Sequence, residues 1–365
     1  MIKFFKRRGI CQQDHIGNEK KSKGTLILFI ILIILIIVIG GLLVLKIIER
    51  NNTLPVQTID ETSKQEEVEI VEPQVQIYSG TDRPIAVMID NNKNAWPQAG
   101  LNDAYIVYEI VVEGAETRLM ALFKGKDLER IGPIRSSRHY FLDYALENDA
   151  IYVHYGWSPQ AESDISKYDV DNINGLVQSS SDFWRDKEKY QPHNAVTATA
   201  NILKIAERYE YRLTSEEESV LNYVTDEVEL EDGIIATNVY IPTTSYVKAT
   251  YQYNPETKRY TRYERGEKAT DWNTEEDITT KNIIITFADN YTLQDAENKG
   301  RQGLNNVGQK DGYYITNGKA IKIICDKPSR TEKTVYKDLQ GNEIEVNDGN
   351  TFIQICPTNT EVTFE

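Results

Sequence analysis

An uninterrupted apolar run near the N-terminus constrains this chain more than any other feature of its sequence. Residues 26–45 carry no charged side chain, and a helix of these 20 residues would be about 30 Å long, the hydrocarbon thickness of a bilayer. The apolar core of a secretory signal is shorter, about 7–15 residues, and ends at a small-residue cleavage site. No such site is evident here, so the run predicts an uncleaved transmembrane signal anchor at residues 25–46.

The charges on the two sides of this run predict its orientation. Residues 1–24 have a net charge of +5, which leaves −20 on the remainder of a chain whose net charge is −15. Positive charge marks the cytoplasmic side, so we expect a basic cytoplasmic tail at 1–24 and all later residues outside the membrane. An acidic main body repels nucleic acid, so we expect the cell membrane as a partner and no nucleic acid.

After the anchor, the composition divides the chain into a spacer and two domains. Residues 47–78 are polar and acidic and have almost no aromatic residues, which is typical of a flexible spacer. The remaining residues are enough for two domains, which we place at 79–222 and 223–365.

The first domain alternates predicted strands with predicted helices. Apolar segments at 84–89, 105–112, 118–123 and 150–154 predict buried strands. Helices are expected from Ser136 or Ser137 to about residue 147, from a cap at Ser158 through residue 165, and over 199–209. This alternation favours an α/β domain.

The second domain consists of short segments rich in β-branched residues and tyrosine, separated by Gly, Asn, Asp or Pro. The pattern predicts an antiparallel, β-rich domain with hairpins at 251–263 and 337–342. The predicted strands are 238–241, 247–253, 259–264, 282–287, 312–315, 320–325 and 351–355.

Basic residues cluster where a Gly-Pro pair precedes a predicted helix. Arg135, Ser136, Ser137 and Arg138 follow that pair, and Arg118 lies in the strand before it. A helix N-terminus attracts anions, and guanidinium groups bind phosphate or carboxylate with two hydrogen bonds. These residues therefore form a candidate anion-binding site. The alternative is that the arginines pair with the chain's own carboxylates.

Two glutamates and two histidines are candidates for acid–base chemistry. Glu109 and Glu113 lie four apart in a strand-like run and would share a face, although we favour ion pairs with nearby arginines over a catalytic pair. His154 ends a predicted strand, and His193 lies in a loop with Asn194, which is a further candidate ligand-binding residue. Either histidine could be a general base, and the alternative is a structural hydrogen-bonding role.

The cysteines and the missing motifs narrow the chemistry. The sequence has no CxxC, HExxH, Walker or G-x-S-x-G motif, so we expect no metal site and no cofactor. Cys325 and Cys356 end two predicted strands outside the membrane, where disulfides persist. A disulfide between them is one interpretation, and two small buried thiols is the other.

Several strings of the sequence resemble the YerB-like family. The resemblance covers about residues 79–365 and is carried by RPIAVMID at 83–90, PQAGL at 97–101, IGPIRSSR at 131–138, AIYVH at 150–154, GWSP at 156–159, PHN at 192–194, GYYITNG at 312–318 and NTFIQ at 350–354. It implies a Gram-positive cell-envelope protein with separate N- and C-terminal domains of unknown function.

One departure from the family concerns the anchor. The resemblance implies a lipoprotein held through a cysteine just after its signal peptide, but Cys11 precedes the apolar run and no such cysteine follows it. We therefore expect the helix to hold the chain in the membrane.

Three hypotheses for function follow. The first is a tethered envelope protein that binds an anionic wall polymer through the arginine-rich helix N-terminus. The second is an envelope hydrolase or transferase that uses the histidines and glutamates. The third is a scaffold that docks another envelope protein.

Overall fold

The computed structural model describes residues 74–365 and, within the predicted anchor, residues 31, 34, 37, 39–42 and 46, which are helical. The predicted basic tail, the rest of the anchor and the spacer up to residue 73 lie outside the described residues. Among the residues described, none of the helices combines the length and the hydropathy that a membrane span requires. The chain divides into two compact units, Met1–Val71 and Glu72–Glu365.

Strands dominate the second unit. They are β1 (Ile85–Asp90), β2 (Ile106–Val111), β3 (Thr117–Phe123), β4 (Ile151–His154), β5 (Asn172–Asn174), β6 (Trp184–Arg185), β7 (Ala195–Val196), β8 (Tyr223–Val224), β9 (Ile234–Ile235), β10 (Asn238–Ile241), β11 (Ala249–Asn254), β12 (Arg259–Glu264), β13 (Glu267–Lys268), β14 (Thr279–Thr280), β15 (Asn282–Thr292), β16 (Gln302–Asn305), β17 (Gly308–Thr316), β18 (Lys319–Lys327), β19 (Val335–Lys337), β20 (Val346–Asn347), β21 (Thr351–Pro357) and β22 (Thr363–Phe364).

The three α-helices of the second unit lie in its N-terminal part. They are α1 (Phe141–Glu147), α2 (Pro159–Lys167) and α3 (Thr199–Arg208). The Ser158 side chain accepts a hydrogen bond from the Ala161 backbone N–H, which confirms the predicted cap of α2. The fold is therefore mostly sheet with few helices.

One large sheet runs through both halves of the unit. Its main path has the strand order β19-β18-β17-β15-β21-β2-β3-β1-β4-β5, and β9 and β16 pair off this path. A second sheet has the order β13-β12-β11-β10-β22, with β14 paired to β12. The hairpin predicted at 251–263 is present, since β11 and β12 pair antiparallel with Tyr253 opposite Tyr260.

Strand β21 departs from the antiparallel arrangement that we predicted for the second domain. It runs parallel to β15 on one side and parallel to β2 on the other, with Phe352 opposite both Ile283 and Val107. The C-terminal domain thus extends the sheet of the N-terminal domain without a break. Both faces of its central part are covered, and strands β1, β2, β3 and β4 are buried at every position.

The prediction that a helix begins at Ser136 or Ser137 is wrong. The helix α1 begins at Phe141, and its N-cap position is Tyr140, which makes no side-chain cap. Ser137 lies in extended backbone instead, and its N–H donates to Gly156 O while its carbonyl accepts from Ser158 N. These strand-like contacts use the backbone groups that a helix would need, so Ser136 and Ser137 cap no helix, and α1 begins three residues after Arg138.

The disulfide between Cys325 and Cys356 is not formed, and both thiols are free and buried. Strands β17 and β15 lie between β18 and β21, so about three strand spacings of 4.8 Å separate the two cysteines across the sheet. That exceeds the Cα separation of about 7 Å beyond which a disulfide cannot form. The second interpretation, small buried thiols, is therefore correct.

Candidate functional site

The segment that carries the predicted anion-binding residues is an extended strip beside β1. Ile131 and Ile134 donate backbone hydrogen bonds to Thr197 O and Ala195 O, and Arg135 N–H donates to Met88 O in β1. Gly132 permits this close approach, because its φ is +141° and an added Cβ would lie 2.9 Å from Ala195 O. The strip therefore places successive side chains in different surroundings.

Two of the predicted arginines share one carboxylate, and we call Glu113, Arg118 and Arg138 the Glu113 cluster. Arg138 binds both carboxylate oxygens of Glu113, and an Arg118 nitrogen lies 3.4 Å from Glu113 Oε1. Arg118 also donates to Ser136 O at 2.5 Å, and Arg138 donates to Ser137 O at 2.7 Å. These arginines are largely used by internal partners, as the ion-pair alternative predicted.

The titration of this cluster follows from its burial and its charges. Burial alone would raise the pKa of Glu113, but the hydrogen bond from Arg138 and the charges of both arginines lower it to about 2. Burial and the charge of Arg138 lower the pKa of Arg118 to about 10. The cluster is a structural ion triad with one excess positive charge.

Glu109 belongs to a different environment from Glu113. Strand β2 ends at Val111 and Glu113 begins a short 3₁₀ turn, so the two glutamates do not share a strand face. Glu109 is buried and accepts hydrogen bonds from Asn91, Thr117 and Gln354. It also pairs at 2.7 Å with Arg262, which lies 153 residues away in the C-terminal domain.

His154 is enclosed by protein on both ring nitrogens. Its Nδ1 lies 2.8 Å from Gly156 O, and its Nε2 lies 3.1 Å from the Asn172 side chain. Burial lowers its pKa, while the hydrogen bonds to Gly156 and Asn172 oppose this shift. This arrangement matches the structural alternative for His154.

His193 shares the carboxylate of Asp90 with Arg135. Its Nδ1 lies 2.7 Å from Asp90 Oδ2, and Arg135 Nε lies 3.2 Å from the same oxygen. A carboxylate can only accept, so a neutral His193 carries its proton on Nδ1 and presents Nε2 as an acceptor. Among the described residues, Nε2 has no hydrogen-bond partner.

The loop that carries His193 is organised by Asn194. Its side-chain amide donates to Asp186 O and Lys189 O, and its carbonyl oxygen accepts from Arg185. Ser136 and Ser137 are similarly internal: Ser136 donates to Tyr155 O, and Ser137 Oγ accepts from the Tyr152 hydroxyl. These three polar side chains support loops.

A polar cleft lined in part by His193 lies between the two domains, and we call it the Lys189 cleft. It has a volume of about 720 Å³ and is formed by loops at 93–97, 188–193 and 270–275. The third loop comes from the C-terminal domain and is fixed to the first domain by Trp272 N–H, which donates to Gln98 O. Asp271 strengthens this attachment by accepting from the Gly100 and Leu101 N–H groups.

Among the described residues that line this cleft, Lys189 is the one lysine whose ammonium forms no ion pair with a carboxylate. Its ammonium donates to Trp96 O at 2.6 Å and lies 4.0 Å from the centre of the Trp272 ring. Lys93, by contrast, pairs with Glu267. Burial and the charge of Arg130 lower the pKa of Lys189 to about 8, although Glu188 opposes them.

Two of the acidic residues that line the cleft already accept hydrogen bonds from the protein. Glu188 accepts a hydrogen bond from the Trp272 indole at 2.7 Å, and Asp271 holds the backbone N–H groups described above. Glu275 is exposed and makes no described side-chain contact. The described residues contain no group of three or more His, Cys, Asp or Glu side chains arranged to hold a metal ion.

Asp90, Lys189 and Trp96 are site residues that sequence reasoning missed. Asp90 had a usable signal, since it directly follows the apolar run of a buried strand. Lys189 had none, because nothing in its neighbourhood distinguishes it from Lys187 two residues earlier. Its character comes from Trp272 and Arg130, which the fold brings to it.

Comparisons with known proteins agree with this two-domain plan. The family model described as "Protein of unknown function (DUF3048) N-terminal domain" matches residues 72–212, and that of the DUF3048 C-terminal domain matches residues 237–353. The "Putative lipoprotein YerB" of Bacillus subtilis (strain 168) is 31% identical over 267 residues, which are 73% of this chain and 76% of that protein.

A solved structure has a similar fold. The crystal structure of the YerB protein from Bacillus subtilis superposes with a TM-score of 0.69 at 31% identity. The match covers 78% of this chain and 94% of that chain. The likeness therefore extends over both domains.

Proposed function

We propose a function from the premise that this chain belongs to the YerB-like family, with its DUF3048 N- and C-terminal domains. In this proposal it is an envelope protein that binds an anionic wall polymer in the Lys189 cleft. The family description assigns no activity, so the proposal rests on the site. The ligand is an anion, as the sequence suggested, but the proposed binding residue is Lys189 and not the arginines of the Glu113 cluster.

Membrane attachment is the first part of the proposal. The Bacillus relative is called a putative lipoprotein, which supports an envelope setting for this chain. Between residue 46 and residue 324 this chain has no cysteine that could carry a lipid, and the apolar run at 26–45 supplies an anchor instead. Protease added to intact cells should degrade the domains outside, and protection until lysis would contradict this topology.

The observation that carries ligand binding is the unpaired ammonium of Lys189 in an open cleft. Burial lowers its pKa against the charges of Glu188 and Asp186, and a bound carboxylate or phosphate would stabilise the charged form further. The indole of Trp272 and the backbone of Trp96 hold the ammonium in place, so little side-chain entropy is lost on binding.

A sedimentation assay tests this proposal. The purified domains are mixed with insoluble wall fragments, and the free protein is measured after centrifugation. We expect Lys189→Met to lose about tenfold or more in affinity, since a charge-assisted hydrogen bond contributes roughly 1.5–3 kcal/mol. Lys187→Met is the matched control, because Lys187 is exposed on the same loop and makes no described side-chain contact.

Two forms of the wall distinguish the anion. Fragments stripped of teichoic acid retain peptidoglycan carboxylates and lose the polymer phosphates. Binding that survives stripping assigns a carboxylate, and binding that disappears assigns a phosphate. Equal binding by the Lys189→Met and wild-type proteins would contradict the proposal.

The pair of Asp90 and His193 favours a second candidate, an envelope hydrolase or transferase. Asp90 orients the ring and leaves Nε2 as an acceptor beside the cleft, which is the arrangement of a general base. His193→Gln should then abolish release of soluble products from wall fragments while leaving their binding intact. Wild-type protein that releases no product would contradict this candidate.

A further inference from the structure

A second, narrower pocket adjoins the Lys189 cleft. It has a volume of about 310 Å³, and Trp96 and Thr270 line both spaces. Its inner wall combines the apolar side chains Leu101, Leu119 and Ile278 with the buried ion pair of Arg262 and Glu264. A ligand in the cleft could therefore extend one substituent into this pocket.

Two polar atoms of the pocket residues lack partners. The indole Nε1 of Trp96 and the carboxylate Oε1 of Glu264 are buried, and neither has a hydrogen-bond partner among the described residues. The other oxygen of Glu264 is already paired with Arg262 at 2.5 Å. Buried polar groups are nearly always hydrogen-bonded, so an unmatched donor and an unmatched acceptor here indicate a missing partner.

Arg265 lies near both Trp96 and Glu264. Its guanidinium lies over the Trp96 ring, 5.6 Å from the ring centre, and its Nε lies 3.9 Å from Glu264 Oε1. That distance is too long for a hydrogen bond. A terminal nitrogen of Arg265 donates to Glu116, and its Nε, like the two atoms above, has no hydrogen-bond partner among the described residues.

We propose that this pocket receives the acetamido group of an N-acetyl amino sugar in the wall glycan. The acetamido carbonyl accepts from the Trp96 indole, its N–H donates to Glu264, and its methyl group contacts the apolar wall. An amide supplies one acceptor and one donor, which matches the unpaired donor and acceptor of the pocket. The proposal rests on the proposed function, since a carboxylate of the peptide attached to the sugar would then bind Lys189 in the adjoining cleft.

Calorimetric titration with matched wall fragments tests the proposal. One probe is a soluble disaccharide peptide with both N-acetyl groups, and the other is the same fragment after de-N-acetylation, with its carboxylates intact. A re-acetylated sample controls for chemical damage. We expect wild-type protein to bind the acetylated probe about tenfold more tightly, the effect of roughly one good hydrogen bond.

Two variants assign this preference to the pocket. Trp96→Phe removes the indole N–H and should reduce the preference to about twofold or less, while Trp157→Phe, on an exposed tryptophan that lines neither space, should retain it. Glu264→Gln adds a second test if it remains folded by circular dichroism.

The outcomes separate the two proposals. Equal affinity of the wild-type protein for both probes overturns the acetamido pocket and leaves the anion cleft standing. Binding of neither probe overturns the acetamido pocket, whereas the anion cleft is overturned only by equal binding of whole wall fragments to the Lys189→Met and wild-type proteins. A preference that Trp96→Phe retains in full also overturns the pocket, because the indole would then make no contact with the acetamido group.

Discussion

The Glu113 cluster and the Lys189 cleft contain similar cations in opposite situations. In the cluster, two buried arginines surround a carboxylate of the same chain. In the cleft, a half-buried lysine has only a carbonyl oxygen and an aromatic ring as partners among the described residues. The number of basic residues is therefore a poor guide to ligand binding, and the supply of internal carboxylates decides which cation is available.

The comparison also separates stability from recognition. Removing Glu113 from the cluster leaves two positive charges buried together, so the substitution lowers the free energy of unfolding. Removing Lys189 leaves no buried charge behind, so the cost falls on the ligand. The four predictions below test this division, from the largest expected effect to the smallest.

The largest effect should come from Glu113→Gln. The substitution leaves Arg118 and Arg138 without a counter-charge, and we expect a loss of about 3 kcal/mol in the free energy of unfolding. Urea denaturation of the folded domains measures it. Glu216→Gln is the control, since Glu216 is exposed and pairs with no described cation. Equal stability of both variants would show that the cluster is not a structural triad.

Protonation of Glu113 at low pH should reproduce this loss of stability reversibly. The pKa of Glu113 is about 2 in the folded protein and 4.5 in its ordinary state, so its contribution is present above about pH 4.5 and is lost as pH falls toward 2. The stability difference between wild type and Glu113→Gln should therefore shrink over this range. A difference that stays constant from pH 5 to pH 2.5 would contradict the assignment.

The cleft should respond to alkali instead. Lys189 has a pKa of about 8, below its ordinary 10.5, so the ammonium that binds the anion is lost as pH rises through about 8. We expect wall binding to fall by about tenfold for each further pH unit, the slope for loss of one required proton. Binding that stays constant to pH 9.5 would exclude Lys189 as the receptor.

Arg135 lies between the two regions and should give the smallest effect. It is partly exposed and shares Asp90 with His193, so Arg135→Gln should change the free energy of unfolding by only about 0.5–1 kcal/mol. Wall binding should weaken by less than threefold. A loss as large as that of Lys189→Met would place Arg135 inside the binding site and redefine the cleft.

Local patterns predicted the elements that depend on local causes. Strands β1 to β4 are predominantly apolar because the sheet is buried on both faces there, and that property is visible in the sequence of each strand. The cap of α2 at Ser158 was equally visible. The start of α1 was not visible. Ser136 and Ser137 resemble helix caps in the sequence, but the Ser137 backbone forms strand-like hydrogen bonds with Gly156 and Ser158 instead.

The sequence by itself indicated two domains, a β-rich second domain, the candidate arginines and the family, through runs of neighbouring residues. Only the tertiary structure decided which charges are cancelled. Arg262 reaches Glu109 across 153 residues, and Lys189 meets Trp272 from the other domain. The physical reason is that a charge takes its properties from burial and from partners a few ångströms away, and the fold recruits those partners from distant parts of the chain.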